Sequence, residues 1–352
     1  MIEVEHLSKI YGATPAIQDV TFSVKKGEIL GFLGPNGAGK TTTMRILSGY
    51  LPATSGTARI AGHEVHEESM AVRQRIGYLP ENPPLYPEMT VEGFLYFVAR
   101  LKRVPAGERA RQVETALKRC NLLEKRDVLI RKLSKGFKQR VGIAQAIVHN
   151  PPVIILDEPT IGLDPRQIIE VRNLIKSLAG EHTIILSTHI LPEVSMTCNR
   201  VAIINRGRIV ATDTPEGLMN QLASGSGCEL ELESRPEEQT AVMEFLRELP
   251  GVSSVELIRA VNLPENRFRL RVLFPAGVES APAIAFALAQ RGINLYEMRR
   301  TRASLEDVFL QVTTEEKSAE SEETTPASEE QGNTSELVEV NNNSSEKIKK
   351  DE

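Results

Sequence analysis

The sequence predicts an α/β protein built on a parallel sheet, followed by a smaller α+β domain. Three observations predict it. Residues 29–33 (Ile-Leu-Gly-Phe-Leu) and 153–156 (Val-Ile-Ile-Leu) are unbroken apolar runs, as in parallel strands buried on both faces. The first run enters a glycine-rich turn and then a stretch with helical spacing (Met44, Ile46, Leu47), which is the strand–turn–helix step of an α/β fold. Beyond residue 227 the pattern changes to strict alternation: Cys228, Leu230 and Leu232 alternate with glutamates, and Phe268, Leu270, Val272 and Phe274 alternate with arginines and Leu273.

Taken in order, residues 1–222 mix short β-branched runs, glycine turns and helical periodicities and form the first domain. Residues 223–227 (Ala-Ser-Gly-Ser-Gly) are small and polar and read as a linker. Residues 228–312 then give a strand, a helix (Val242, Phe245, Leu246, Leu249), strands over 252–258 and 267–274, a helix over 279–291 and a strand over 293–299. That β-α-β-β-α-β order is the ferredoxin-like arrangement. From 313 to 352 Ser, Thr, Glu and Asn dominate, and such a segment cannot bury enough apolar surface to offset its ordering entropy, so a disordered acidic tail is expected. Of the 42 basic and 47 acidic side chains in the 352 residues, four and twelve fall in that tail. The body keeps 38 basic and 35 acidic groups, too even a balance for a nucleic-acid surface.

Three scattered cysteines, Cys120, Cys198 and Cys228, exclude a disulfide scaffold and a zinc ribbon and fit a reducing cytosol. No basic segment followed by an apolar run opens the sequence, and no window approaches the ~18 apolar residues of a membrane helix, so neither a secretory leader nor a membrane span is expected. His63, His66, His149 and His182 lack metal-ligand spacing and read as surface or loop residues.

The turn Gly34-Pro35-Asn36-Gly37-Ala38-Gly39-Lys40-Thr41-Thr42 fits G-x-x-x-x-G-K-[ST] in the right context. Its glycines let the backbone curl so that successive N–H groups face phosphate oxygens, and the helix opening near Lys40 adds its positive end. Lys40 is placed to reach the β- and γ-phosphates, and the Thr41 hydroxyl to ligate Mg²⁺. The apolar run 153–156 ends in Asp157-Glu158, where α/β sheets bind ligands. Two adjacent acids suggest two tasks, with Asp157 holding Mg²⁺ or its water and Glu158 polarising the attacking water.

With these residues in place, positions 1–222 strongly resemble the ATP-binding-cassette (ABC) ATPases. Leu133-Ser-Lys-Gly-Phe-Lys-Gln-Arg140 resembles the family's LSGGQ-x-R signature, with Lys135 in place of the first glycine. Ser134 and Gly136 keep their signature positions, and Phe137-Lys138 stand before the glutamine, Gln139. Tyr11 falls where the family stacks an aromatic ring on adenine, Gly162-Leu-Asp164 matches the loop after the catalytic glutamate, and Ser187-Thr-His189 matches the switch histidine that contacts the γ-phosphate. Glu81 stands where the family usually has a glutamine that ligates Mg²⁺ and water. The run Glu81-Asn-Pro-Pro-Leu-Tyr86 and the stretch Ser304–Phe309 resemble the branch that partners ABC-2 exporter permeases, including gliding-motility ATPases.

The resemblance implies a P-loop NTPase cassette with a parallel-sheet core, an N-terminal antiparallel β-subdomain and a helical signature subdomain over about 82–150. It implies ATP and Mg²⁺ as cofactors, with Glu158 and His189 catalytic. It further implies a separate integral-membrane permease, which would hold the cytoplasmic chain peripherally at the inner face of the cell membrane. A second copy is also implied, because the signature of one cassette completes the nucleotide site of the other. Residues 82–100, with Val91, Phe94, Leu95, Phe97 and Val98, are expected to cover the groove for the permease while packing the helical subdomain. The rival reading is an ABC-type ATPase acting on DNA or ribosomes. DNA-repair ATPases part the phosphate loop from the signature by a long coiled coil, whereas here no heptads separate Lys40 from Ser134. Ribosome-acting relatives carry two cassettes, and this chain has one.

Overall fold

The computed structural model describes residues 1–222, 226–258, 263–264, 266–275, 280–301 and 309. The expected tail 313–352 lies outside the described residues, apart from which the chain forms one compact unit, Met1–Thr313. Along the chain run β1 (Ile2–Tyr11), β2 (Thr14–Val24), β3 (Ile29–Leu33), α1 (Lys40–Leu47), β4 (Ser55–Ile60), β5 (His63–Glu64), α2 (Ser69–Arg75) and β6 (Ile76–Leu79). Then come α3 (Val91–Leu101), α4 (Ala106–Arg119), α5 (Lys135–Ile147), β7 (Val153–Asp157), α6 (Pro165–Leu178), β8 (Thr183–Thr188), α7 (Leu191–Thr197), β9 (Arg200–Asn205), β10 (Arg208–Asp213) and α8 (Pro215–Leu222).

The central sheet has the order β10-β9-β3-β8-β7-β6, parallel except for the β10–β9 pair. All five residues of β3 and of β7 are buried, as the unbroken apolar runs predict. Alternation sorts them between two cores. Val153 and Ile155 join Leu30, Phe32 and Ile185 against α1 and the antiparallel sheet β2-β1-β4-β5. Ile154 and Leu156 join Ile184 and Leu186 against the helical layer of α3, α4, α5 and α6. Burying both faces drives this sheet to the centre, because an apolar face left in water forfeits ~25 cal/mol per Å².

Val91, Phe94, Leu95 and Val98 are buried within the helical layer. Packing is therefore their task, while beside them Tyr86 is exposed and Phe97 half-buried. Their rings meet edge to face with centroids 5.4 Å apart.

The C-terminal elements are β11 (Ser226–Glu233), α9 (Gln239–Arg247), β12 (Ser254–Ile258), β13 (Arg267–Phe274), α10 (Ala281–Gln290) and β14 (Asn294–Thr301). Their sheet has the order β12-β13-β11-β14 with every pair antiparallel. Residues 223–225 of the expected linker lie outside the described residues, while Ser226 and Gly227 already pair with Phe274 and Leu273 as strand. One sheet face carries Leu230, Leu270 and Val272 onto α9 and α10. The other is a ladder of charge in which Glu229 meets Arg271, and Glu231 meets Arg267 and Arg269.

Two of the histidines read as surface or loop residues lie between elements as expected, but they point inward rather than to the surface. His182 is buried, with Nδ1 2.6 Å from the carbonyl oxygen of Pro151. His149 is half-buried, with Nε2 3.0 Å from that of Ile76. Burial pushes the His149 imidazole down to about 3 and lowers that of His182, so both are neutral donors to backbone carbonyls.

Candidate functional site

The parallel register assembles the site. Leu33 lies opposite Thr188 and Asp157 opposite Ser187, so the C-terminal ends of β3, β8 and β7 meet in one row. The phosphate-type loop leaves β3 at Gly34 and enters α1 at Lys40. Gly37 and Gly39 have φ of 82° and 104°, which side-chain residues rarely adopt. A Cβ on Gly39 would come within 2.6 Å of Ile17, so both conformation and space demand glycine. Lys40 is 6% exposed, and its Nζ donates to the carbonyl oxygens of Gly34 (2.8 Å) and Pro35 (3.1 Å). The same Nζ lies 3.4 Å from Oε1 of Glu158.

Glu158 turns away from β7 with φ of 49°, and its N–H donates to the carbonyl oxygen of Ser187 (2.9 Å). Its Oε2 lies 2.9 Å from Nδ1 of His189. The carboxylate is thus gripped between Lys40 and His189. Asp157 is fully buried and accepts 2.7 Å from the Ser187 hydroxyl, while its Oδ2 is buried without a hydrogen-bond partner. Burial lifts its carboxyl above the usual carboxylate range, against the pull of the nearby Ser187 and Thr41 hydroxyls.

A cavity of about 480 Å³ joins Asn36, Lys40, Thr41, Glu81, Glu158 and His189. Its donor set suits a polyphosphate: curled backbone, a buried ammonium and the positive end of α1. Hard oxygen ligands for Mg²⁺ are also present in Thr41, the unsatisfied Asp157 carboxylate and Glu81. Among the described residues no cluster of three or more His, Cys, Asp or Glu forms a protein-only metal cage. Few protein ligands is the usual arrangement for a Mg²⁺ that rides on phosphates.

The signature residues lie elsewhere. Ser134 caps α5, its hydroxyl accepting from the N–H of Phe137, and Asp164 caps α6 by accepting 2.9 Å from that of Gln167. Gly136 packs so closely on Gln167 that a Cβ would meet it at 2.6 Å. Lys135 and Gln139 line a second cavity of about 430 Å³, which shares Glu81 and Ile161 with the first. Tyr11 sits at the β1–β2 hairpin with its ring half exposed, outside the residues lining the first cavity.

One family model, described as ABC transporter, matches residues 17–161. The linearmycin resistance ATP-binding protein LnrL of Bacillus subtilis is 30% identical over 314 residues, spanning 89% of this chain and 98% of the relative. The chain belongs to the ABC transporter ATP-binding proteins. Nod factor export ATP-binding protein I of Paraburkholderia xenovorans is 34% identical over 89% of this cassette protein and 96% of its own length. Among solved structures, a dimeric ATP-binding cassette in a post-hydrolysis state with ADP and Pi superposes with a TM-score of 0.56. It is 25% identical and covers 61% of this chain and 98% of that one. This cassette protein is accordingly an ATPase, and ATP is its cofactor.

The sequence motifs missed one acidic residue at this site. Glu193, on α7, is buried and accepts hydrogen bonds from the hydroxyls of Thr160 and, at 2.9 Å, Thr188. Burial raises its carboxyl above the usual range, with both hydroxyl bonds opposing. A glutamate four residues after the switch histidine is the only signal available in the sequence.

Proposed function

We propose that the chain drives an exporter-type permease of the ABC-2 kind, a separate membrane protein, through ATP-dependent pairing of two cassettes. The exporter reading leans on relatives named for Nod factor export and linearmycin resistance. No helix among the described residues is long and apolar enough to cross a membrane, so the membrane step falls to a partner. That partner would hold the cassette at the inner face of the cell membrane.

The observation that carries the pairing is the split between the two cavities. Lys40, Glu158 and His189 line one, whereas the signature residues Lys135 and Gln139 line the other. A second copy related by a two-fold axis would bring its Ser134 and Gly136, at the N-terminus of α5, to the nucleotide held by Lys40. No nucleic acid enters this scheme.

The division of labour follows from the groups. The loop from Gly34 to Thr42 cradles the phosphates, Lys40 neutralises them, and Tyr11 stacks on adenine. Thr41, Asp157 and Glu81 would hold Mg²⁺, which would supply charge neutralisation. Glu158 takes the proton of the attacking water, and its link to His189 holds the carboxylate toward the γ-phosphate position. Asp164 keeps the loop after Glu158 attached to α6.

The test uses Glu158→Gln in the full chain with Mg²⁺ and ATP. The expected result is a stable dimer by light scattering that ADP does not support. A monomer under both conditions would overturn the pairing.

A further inference from the structure

We propose that Glu193 is a positioning residue: its carboxylate ties the turn carrying Glu158 and the loop carrying His189 to the core in one register. This rests on the catalytic reading of Glu158 and His189 above. The motivation is geometric. Thr160 follows Glu158 by two residues, Thr188 directly precedes His189, and both hydroxyls donate to the two oxygens of the Glu193 carboxylate. Thr160, Thr188 and Glu193 are 3%, 0% and 4% exposed, so water cannot replace either bond cheaply. The Thr188 hydroxyl also accepts from the N–H of Ile190 at 3.1 Å, which leaves its own proton directed at Glu193.

A carboxylate suits the place because two donors arrive and two acceptors are needed. Glu193 itself has a firm footing. Its neighbour Val194 is buried with Leu33, Val201 and Ile203, and α7 presses so closely on β3 that a Cβ on Gly31 would lie 2.7 Å from Val194. The reference point for both loops is therefore the strand that feeds the phosphate loop. Enforcement is needed at Glu158, whose φ of 49° is unfavourable for a residue with a side chain. Beyond it the turn is held by two local backbone bonds, a long one from Ile161 to Glu158 (3.3 Å) and one from Leu163 to Thr160 (3.1 Å). Thr160 is where an outside anchor reaches that turn.

The experiment measures steady-state ATP hydrolysis, affinity for a non-hydrolysable ATP analogue and melting temperature on the full chain. Glu193→Ala should lower kcat by ~10- to 100-fold, as misplacing a catalytic group by about 1 Å does, with KM and analogue affinity held within ~3-fold. Glu193→Gln keeps one good acceptor and should recover most of the loss. Thr160→Val and Thr188→Val each remove one donor without changing shape, so they carry the test if Glu193→Ala fails to fold. In a Glu158→Gln background Glu193→Ala should cause no further loss, because the two act as one unit. Near wild-type turnover in Glu193→Ala and both valine variants would overturn the proposal. So would analogue affinity falling in step with kcat, which would mark a general support. A wild-type chain without ATPase activity, or a fully active Glu158→Gln, would strike the catalytic reading instead.

Discussion

Oε2 of Glu158 lies 2.9 Å from Nδ1 of His189, and Oε1 of the same carboxylate lies 3.4 Å from Nζ of Lys40. One acid thus bridges the strand that ends in the phosphate loop and the strand that ends in the switch histidine. The site is held as a unit, and each member answers for a different measurable quantity.

Glu158→Gln should bind ATP normally and hydrolyse it at least ~10²-fold more slowly, since a positioned general base is worth that much. Single-turnover kinetics check it. Turnover near wild type would move the base elsewhere.

Lys40→Ala should abolish ATP binding at ordinary concentrations, because it removes the buried cation beside the loop and leaves Glu158 unopposed on that side. Isothermal calorimetry reads this directly, and unchanged affinity would contradict the phosphate assignment.

Glu81→Gln should remain an active ATPase. Glu81 is exposed at the mouth of the cavity, so its charge is screened by water. Removing it should tighten ATP binding by no more than ~5-fold. Hydrolysis titrated with Mg²⁺ in the presence of the permease is the measurement. A variant as inactive as Glu158→Gln would make Glu81 a catalytic carboxylate.

Lys102 offers a prediction about pH. Its ammonium donates to the carbonyl oxygens of Arg73 (2.7 Å) and Ile76 (2.9 Å), and burial pushes it down from an ordinary 10.5 to about 8. Between those values the unfolded chain binds the proton more tightly than the folded one, so this group makes stability rise with pH over that window. Comparing melting temperatures of wild type and Lys102→Met from pH 7 to 10 isolates its share. The difference between the two should change across the window, and a constant difference would contradict the shift.

Local chemistry made much of this legible in sequence. The glycines of the phosphate loop, the buried run ending in Asp157-Glu158 and the alternation in β13 each follow from neighbours along the chain. The C-terminal sheet was legible for the same reason, because Phe268, Leu270, Val272 and Phe274 show their period without outside help. What stayed hidden depends on distant partners. Glu193 looks like any polar helix residue until Thr160 and Thr188 are brought to it from two other segments. His182 looks exposed until the carbonyl of Pro151 is found waiting for its proton. The packing role of Val91, Phe94, Leu95 and Val98 in α3, by contrast, was legible from their helical spacing.

The left-handed backbone at Glu158 has a consequence for how this protein can be altered. Holding a side-chain residue there costs on the order of 1–3 kcal/mol, a sum that glycine would not incur. Glycine at 158 would relieve that strain, but it would leave the buried Lys40 ammonium without its carboxylate and remove the group proposed to act on water. The strain is therefore held in place by a charge pair, and relaxing one cannot be separated from losing the other.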